Sequence, residues 1–256
     1  MKLEKLNFEE QVTQVICDDS ANALAIELRD KEKQKLKLLY LDLQTTEQWV
    51  VEDELSWWHQ LQACSQGKLI LNGFEDPSLP MSKGVFVFDA KSGRKMWEKS
   101  SAHFLSLSQG DMWMEEQEER IFVRLHNGKP AHPPAVDLAQ KFEDDFQHAY
   151  QACEVVYRLS EEFPSLQNRI EKTFGHQIEE YLDYLKMGAW EIFSYPHKHP
   201  EGGWDQEIRI LKNGEVKLAR KTGRQLKGIA WSTFFVWRNY LIWQEGYRSI
   251  CFSDLG

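Results

Sequence analysis

The stretch YPHKHPEGGWDQE, residues 195–207, gathers side chains that can do chemistry. His197 and His199 flank a lysine, Glu201 and Asp205 follow, and Trp204 stands among them. Two imidazoles and a carboxylate can share a divalent ion when a coordination position stays open. In an extended segment His197 and His199 would point to the same side, which suits shared ligation. Proline and glycine, however, mark this stretch as a loop tip, where histidine usually serves as a polar side chain in water. The expectation is therefore a solvated tip with no metal and no cofactor.

The other chemical candidates are thinner. Trp57, Trp58 and His59 form a run that would suit an aromatic platform for a sugar or peptide, with buried packing as the default. His176 begins HQIEE, which lacks the second histidine of HExxH, so a helix-surface pair with Glu179 or Glu180 is expected. The acidic runs Glu115–Glu119 and Glu143–Asp145 lack the glycine-punctuated spacing of an EF-hand loop. No GxSxG, phosphate-binding glycine loop or dinucleotide fingerprint is present. No catalytic residue is assigned; His197, His199, Glu201, Trp204, Asp205, Trp57 and Trp58 are the binding candidates.

Composition narrows the partners. A formal charge of −9 over 256 residues argues against nucleic acid, which needs a basic surface. The basic stretches Lys31–Lys37 and Lys217–Arg224 fall beside turns and read as solvated hairpin ends. The N-terminus MKLEKLNFEE has no apolar signal region, and no uncharged apolar run is long enough to span a bilayer. Cys17, Cys64, Cys153 and Cys251 lie far apart without a CxxC pair, which reads as neither a disulfide framework nor a zinc ribbon. The expectation is a reduced cytoplasmic monomer without a membrane or nucleic-acid partner, whose ligand, if it has one, is another protein.

The elements that would position these residues read mostly as strands. In GVFVFDAKSGRKMWEK (84–99), Val85 and Val87 alternate with Phe86 and Phe88. That is a strand apolar on both faces, as in a sheet stacked between two others. Asp89 and Gly93 form a tight turn, and the return strand carries Trp97. LLYLDLQTTEQWV (38–50) repeats the pattern with Asp42 and Trp49, its turn one residue shorter and Thr46 or Glu47 near the glycine's place. The aspartates are 47 residues apart and the tryptophans 48, a spacing that fits four-stranded propeller blades.

VFVFDAKSGRKMW resembles the blade repeat of quinoprotein-type β-propellers: strand, Asp, polar residues, Gly, and Trp on the next strand. The resemblance is specific over 84–98 and fair over 38–50. It implies an architecture in which the tryptophan packs between neighbouring blades, and it implies no cofactor. The whole chain also resembles an uncharacterised family of short bacterial propeller-like proteins.

Further strands fit over 22–30, 35–43, 68–74, 103–109, 111–116 and 120–130. A hairpin is expected at 206–220 with Asn213-Gly214 at its tip, and three strands over 229–255 turn at Arg238-Asn239 and Glu245-Gly246. KPAHPPAVDLAQ (129–140) reads as an irregular connection. Over 161–186, Phe163, Leu166, Ile170, Phe174, Ile178, Leu182 and Leu185 recur at helical spacing. Ser160 is the expected N-cap, Gly175 a mid-helix kink and Gly188 the C-terminal glycine. Removing that helix leaves roughly 220 residues, or about five blades at ~40–45 residues each. The expected fold is a single all-β, propeller-like domain, residues 1–256, with a helical insertion at 161–186. The strand Val12–Cys17 would complete the last blade beside 248–254, bringing Cys17 near Cys251. The expected function is a non-catalytic scaffold for protein–protein contact; the competing class is a metal-assisted hydrolase or carbohydrate-active protein using the 195–207 loop.

Overall fold

The N-terminal strand β1 (Leu3–Asn7) finds its partner at the far end of the chain, opposite residues 249–253. The computed structural model describes residues 2–74, 84–108, 110–133, 149–226 and 233–256. These residues form five antiparallel sheets and one helix, in two compact units: Phe8–His148, and Met1–Asn7 with Ala149–Gly256.

The unit Phe8–His148 holds three sheets. The first is β2 (Gln11–Cys17), β3 (Ala23–Asp30), β4 (Lys35–Asp42) and β5 (Gln48–Val51). The second is β6 (His59–Ser65), β7 (Lys68–Gly73), β8 (Val85–Asp89) and β9 (Lys95–Lys99). The third is β10 (Ala102–Ser108), β11 (Asp111–Glu116) and β12 (Glu119–Val123), with a further bridge from Val123 to Pro130. Strand alternation makes the second sheet apolar on both faces. Phe88 packs with Ala25, Leu38 and Tyr40 of the first sheet. Val85 and Val87 pack with Ala102, Met112 and Met114 of the third. Burying a side chain such as Phe88, fully inaccessible here, contributes about 1.5–3 kcal/mol.

The two turns of the expected repeat share one hydrogen-bond pattern. The Asp42 N–H donates to Glu47 O and the Thr46 N–H to Asp42 O; at the second copy Asp89 donates to Arg94 O and Gly93 to Asp89 O. Thr46 (φ 61°) and Gly93 (φ 72°) hold the same left-handed position, so the two turns are equally long. The extra residue lies in the return strand. Trp49 pairs with Tyr40 and Trp97 with Val87, but a register shift between Val87 and Phe88 leaves Met96 unpaired as a bulge. Each tryptophan then meets the turn of the following sheet. Lys91 Nζ sits 4.7 Å from the Trp49 ring, and Trp97 Nε1 donates to Leu125 O at 2.7 Å. A third turn of this type, unflagged by the sequence, joins Arg124 to Lys129 with Gly128 at φ 66°.

The other unit holds two sheets. One is β14 (Glu154–Tyr157), β15 (Tyr181–Met187), β16 (Trp190–Lys198), β17 (Trp204–Lys212) and β18 (Glu215–Leu226). The other runs β1, β21 (Ser249–Asp254), β20 (Tyr240–Gln244), β19 (Phe234–Trp237) and β13 (Tyr150–Ala152). The hairpin tip at Asn213-Gly214 and the turns at 238–239 and 245–248 lie where expected. Residues 229–232 of the expected C-terminal strands, and 134–140 of the proline-rich connection, fall outside the described residues.

Two expectations are corrected in this unit. The strand beside Ser249–Asp254 is β1, whereas Val12–Cys17 pairs with β3 in the other unit, so Cys17 lies opposite Leu24 and Cys251 opposite Lys5. The helix α1 spans Phe163–Phe174, not 161–186. Gly175 ends it in a left-handed C-cap (φ 73°), its N–H donating to Glu171 O, instead of kinking it. Ser160 lies two residues outside the N-cap, which is Glu162, and Gly188 belongs to the turn between β15 and β16. The false helical period has a physical cause. Leu182 and Leu185 are three apart on one strand, so they face opposite sides. Leu182 packs with α1, and Leu185 with the core shared with β19–β21. A strand buried on both faces mimics helical spacing.

Across both units the residue after the third strand of a meander is tied back to the preceding hairpin. Leu43 donates to Asn22 O, Ala90 to Gly67 O, Asn213 to Ala189 O and Leu255 to Asn239 O. In the third sheet Leu125 donates instead to the Asp111 side chain at 3.0 Å.

Candidate functional site

The paired strands β16 and β17 carry a face that changes character along its length. Alternation places Phe193, Tyr195 and His197 on one side of β16, and Leu211, Arg209 and Glu207 on the same side of β17. The apolar end, Phe193 and Leu211, is covered by Phe163, Leu166 and Ile170 of α1. The Gly175 cap then turns the chain back, and the next residue, His176, lies over the polar end. Phe174 holds the junction, with the Arg209 guanidinium 5.0 Å from its ring.

Three ligand-type side chains converge there. His197 Nε2 lies 3.3 Å from Glu207 Oε1, and His176 Nδ1 lies 3.7 Å from Glu207 Oε2. The imidazoles stack with centroids 4.3 Å apart and planes 18° from parallel. His176 Nδ1 is also 3.1 Å from the Tyr195 hydroxyl, and Arg209 donates to Glu207 Oε2. The Arg209 Nε is buried and without a partner among the described residues. Side-chain exposure is 24% for His176, 16% for His197 and 9% for Glu207, so water reaches the cluster from the histidine side. Burial, reinforced by the charges of His197 and Arg209, lowers the His176 pKa against the pull of Glu207. Burial pushes the Tyr195 phenol up to about 12, with Arg209 opposing. The arrangement offers neutral imidazole nitrogen and a carboxylate oxygen at one point, a donor set for a proton or a transition-metal ion.

Of the sequence candidates, only His197 joins this cluster. His199 sits in the turn beyond β16, where its Nδ1 accepts from the Glu201 N–H at 3.1 Å. Glu201 Oε2 accepts from Gln225 Nε2 at 3.0 Å on the surface. Trp204 opens β17 opposite Lys198 and Leu226. Asp205 is buried and bound by Lys221 and by the Gln225 N–H at 3.1 Å. Burial works to raise the Asp205 pKa, but Lys221 and that N–H outweigh it and hold the carboxyl below its ordinary value.

Trp57 and Trp58 lie in the other unit. The Arg29 guanidinium lies 5.0 Å from the Trp57 ring and donates to Trp57 O at 2.7 Å, while Trp58 is 38% exposed. Glu116 of the first acidic run accepts from Lys99 at 2.9 Å; Glu143–Asp145 lie outside the described residues. The expected pairing of His176 with Glu179 or Glu180 on a helix surface is replaced by the stacking on His197. Sequence reasoning missed Glu207 and Arg209 because the hairpin was read from residue 206, which hid the partnership of Tyr195 with Glu207.

A second polar centre, also missed, lies in the unit Phe8–His148. Asp18 is fully buried at the β2–β3 turn. Its Oδ1 accepts from the Ser20 N–H (2.9 Å), the Ser20 hydroxyl (2.7 Å) and the Gln66 N–H (3.1 Å). Its Oδ2 accepts from the Tyr40 hydroxyl (2.9 Å) and the Gly67 N–H (2.7 Å). Burial alone would raise the carboxyl pKa; these donors outweigh it and lower it. All four cysteines are buried free thiols. Burial pushes Cys153 up to about 11 and Cys251 up to about 12, and raises Cys64 well above its ordinary value.

Comparison with known proteins adds little to this geometry. Residues 17–97 match a family model described as a domain of unknown function, DUF4905. No curated protein matches. An acylaminoacyl peptidase from Pyrococcus horikoshii aligns over 92% of this chain and 36% of its own, at 13% identity and a TM-score of 0.27. A bifunctional GH43-CE protein from Bacteroides eggerthii aligns over 95% and 33%, at 9% identity and a TM-score of 0.29. The chain thus spans about a third of the length of these structures, and likeness this distant carries no functional argument. No helix among the described residues is long and apolar enough to cross a membrane.

Proposed function

We propose that the chain is a β-propeller-like scaffold whose five sheets act as blades and whose turns bind another protein. The observation that carries this reading is how the buried carboxylates are used. Asp18, Asp183 and Asp205 each accept backbone N–H groups from a distant turn or strand, from Gly67, Thr233 and Gln225 respectively. Charges committed in this way fix turns, and rigidly held turns on a sheet framework suit recognition. The recurring Asp turn and the tie behind each third strand support blades of one kind. The pairing of β1 with β21 completes the five-stranded last sheet with an edge strand from the other end of the sequence.

The contact surface is assigned to the connection between β14 and α1. Leu159 is 96% exposed and Tyr157 52% exposed, at a tip held by Ser160, whose N–H donates to Tyr157 O at 2.8 Å. Ser160 Oγ accepts the Tyr157 N–H in return at 3.2 Å. An ordered apolar tip loses little entropy on docking. The test is affinity purification of the full chain from its native source after cross-linking, beside a Tyr157→Asp, Leu159→Asp double variant. The expected result is a defined partner protein recovered with the unaltered chain and lost with the variant, at unchanged thermal stability. A chain that runs alone, or a variant that retains the same partner at the same yield, would sink the reading.

A further inference from the structure

We infer that His176, His197 and Glu207 form a binding site for one divalent transition-metal ion of the zinc class. All three ligand atoms lie within 4.8 Å of one another. An ion bound tetrahedrally at about 2.0–2.2 Å holds its ligands about 3.4 Å apart. His197 Nε2 stands 3.3 Å from Glu207 Oε1, close to that value; His176 Nδ1 stands 3.7 Å from the other oxygen, Oε2, and has to close on the ion. Three protein ligands leave a fourth position, and the partial exposure of both imidazoles places it toward solvent.

The surroundings fit a ligand set as well. Arg209 donates to Glu207 Oε2, which leaves Oε1, the oxygen nearer His197, turned to the ion. Metal-binding carboxylates are commonly oriented by such a second hydrogen bond. The Tyr195 hydroxyl stands 3.1 Å from His176 Nδ1 and must release that nitrogen when the ion binds. Two nitrogen ligands select against calcium and magnesium, which take oxygen. The guanidinium beside the site opposes the ion's charge, so binding is expected to be weaker than in a four-ligand structural zinc site.

The test is calorimetric titration of the chelator-stripped full chain with Zn²⁺, Ca²⁺ and Mg²⁺, with Co²⁺ absorption as a report on coordination. The expected result is one Zn²⁺ per chain and a tetrahedral Co²⁺ spectrum. His176→Ala, His197→Ala and Glu207→Gln should each weaken binding at least ~10-fold. His199→Ala should leave it unchanged. As a second readout, Zn²⁺ should raise the thermal midpoint of the unaltered chain and not that of His176→Ala, whose half-buried side chain caps the site from outside the apolar core. Absence of a stoichiometric ion overturns the assignment. So does binding undiminished by His176→Ala and His197→Ala, or Ca²⁺ binding as tight as Zn²⁺.

Discussion

Asp18 and Glu207 are both carboxylates withdrawn from water, one in each unit, and their neighbours differ in kind. Around Asp18 the donors are backbone N–H groups, hydroxyls and one high-pKa thiol, from Ser20, Gln66, Gly67, Tyr40 and Cys64. None of these exchanges a proton near neutral pH; burial and the nearby Asp18 charge raise the Tyr40 phenol far above its ordinary value. Around Glu207 stand a guanidinium and two imidazoles, of which the imidazoles can take up a proton or an ion. Saturation by fixed donors commits the first carboxylate to holding the chain. The second keeps exchangeable company, and that is what makes a corner of a sheet chemically open.

The largest expected effect breaks the comparison by deletion. Asp18→Ala leaves several buried donors unpaired and should cost about 3 kcal/mol. Glu207→Gln keeps an acceptor for Arg209 and should cost only about 1 kcal/mol. Urea midpoints of the two variants decide this, and equal losses would erase the distinction.

Acid should separate the two corners next. The folded His176 pKa is lowered from 6.5, so the unfolded chain binds the proton more tightly. Its contribution is complete above pH 6.5 and is lost as pH falls through the folded value. Asp18 is likewise lowered, from 3.8, and its contribution is lost only as pH falls below 3.8. Asp89 follows the same rule: burial opposes it, but Lys68 and Ser92 hold it to about 2, so its loss extends down to that pH. Stability measured against pH should therefore decline in two stages. His176→Gln should flatten the first stage, leaving what buried His59 contributes, and spare the second. A single decline beginning below pH 3.8 would contradict this.

The smallest expected effect lies in the repeated turn. Thr46 holds a left-handed φ of 61° that strains a β-branched residue, so Thr46→Gly should stabilise by about 1 kcal/mol. Gly93→Ala should destabilise by about 1 kcal/mol through φ alone, since the added Cβ would meet nothing nearer than Val50 O at 3.6 Å. Thermal melts of the two variants should shift in opposite directions.

The strands were legible in the sequence because their turn chemistry is local. Asp42, Asp89 and Asn213-Gly214 marked their hairpins within a few residues, and Trp49 and Trp97 marked the return strands. Two-sided burial of β15 reproduces a spacing of three, which gives the second half of the expected helix its false period. The polar centres were hidden for a different reason. Asp18 accepts from residues 48 and 49 positions away, and His176 meets Glu207 only because the chain reverses at Gly175. No local pattern announces either meeting.

The pairing of β1 with β21 has a consequence in time. Lys5 lies opposite Cys251, 246 residues later in the chain. At about 5–20 residues per second, roughly 10–50 s pass between synthesis of the first strand and of its partner. Through that interval Leu3–Asn7 is an unpaired edge in search of a sheet. The sheet that carries β19–β21 therefore cannot take up β1 until Ser249–Asp254 has been made, and a nascent chain stalled before residue 249 should be the form that chaperones and proteases recognise.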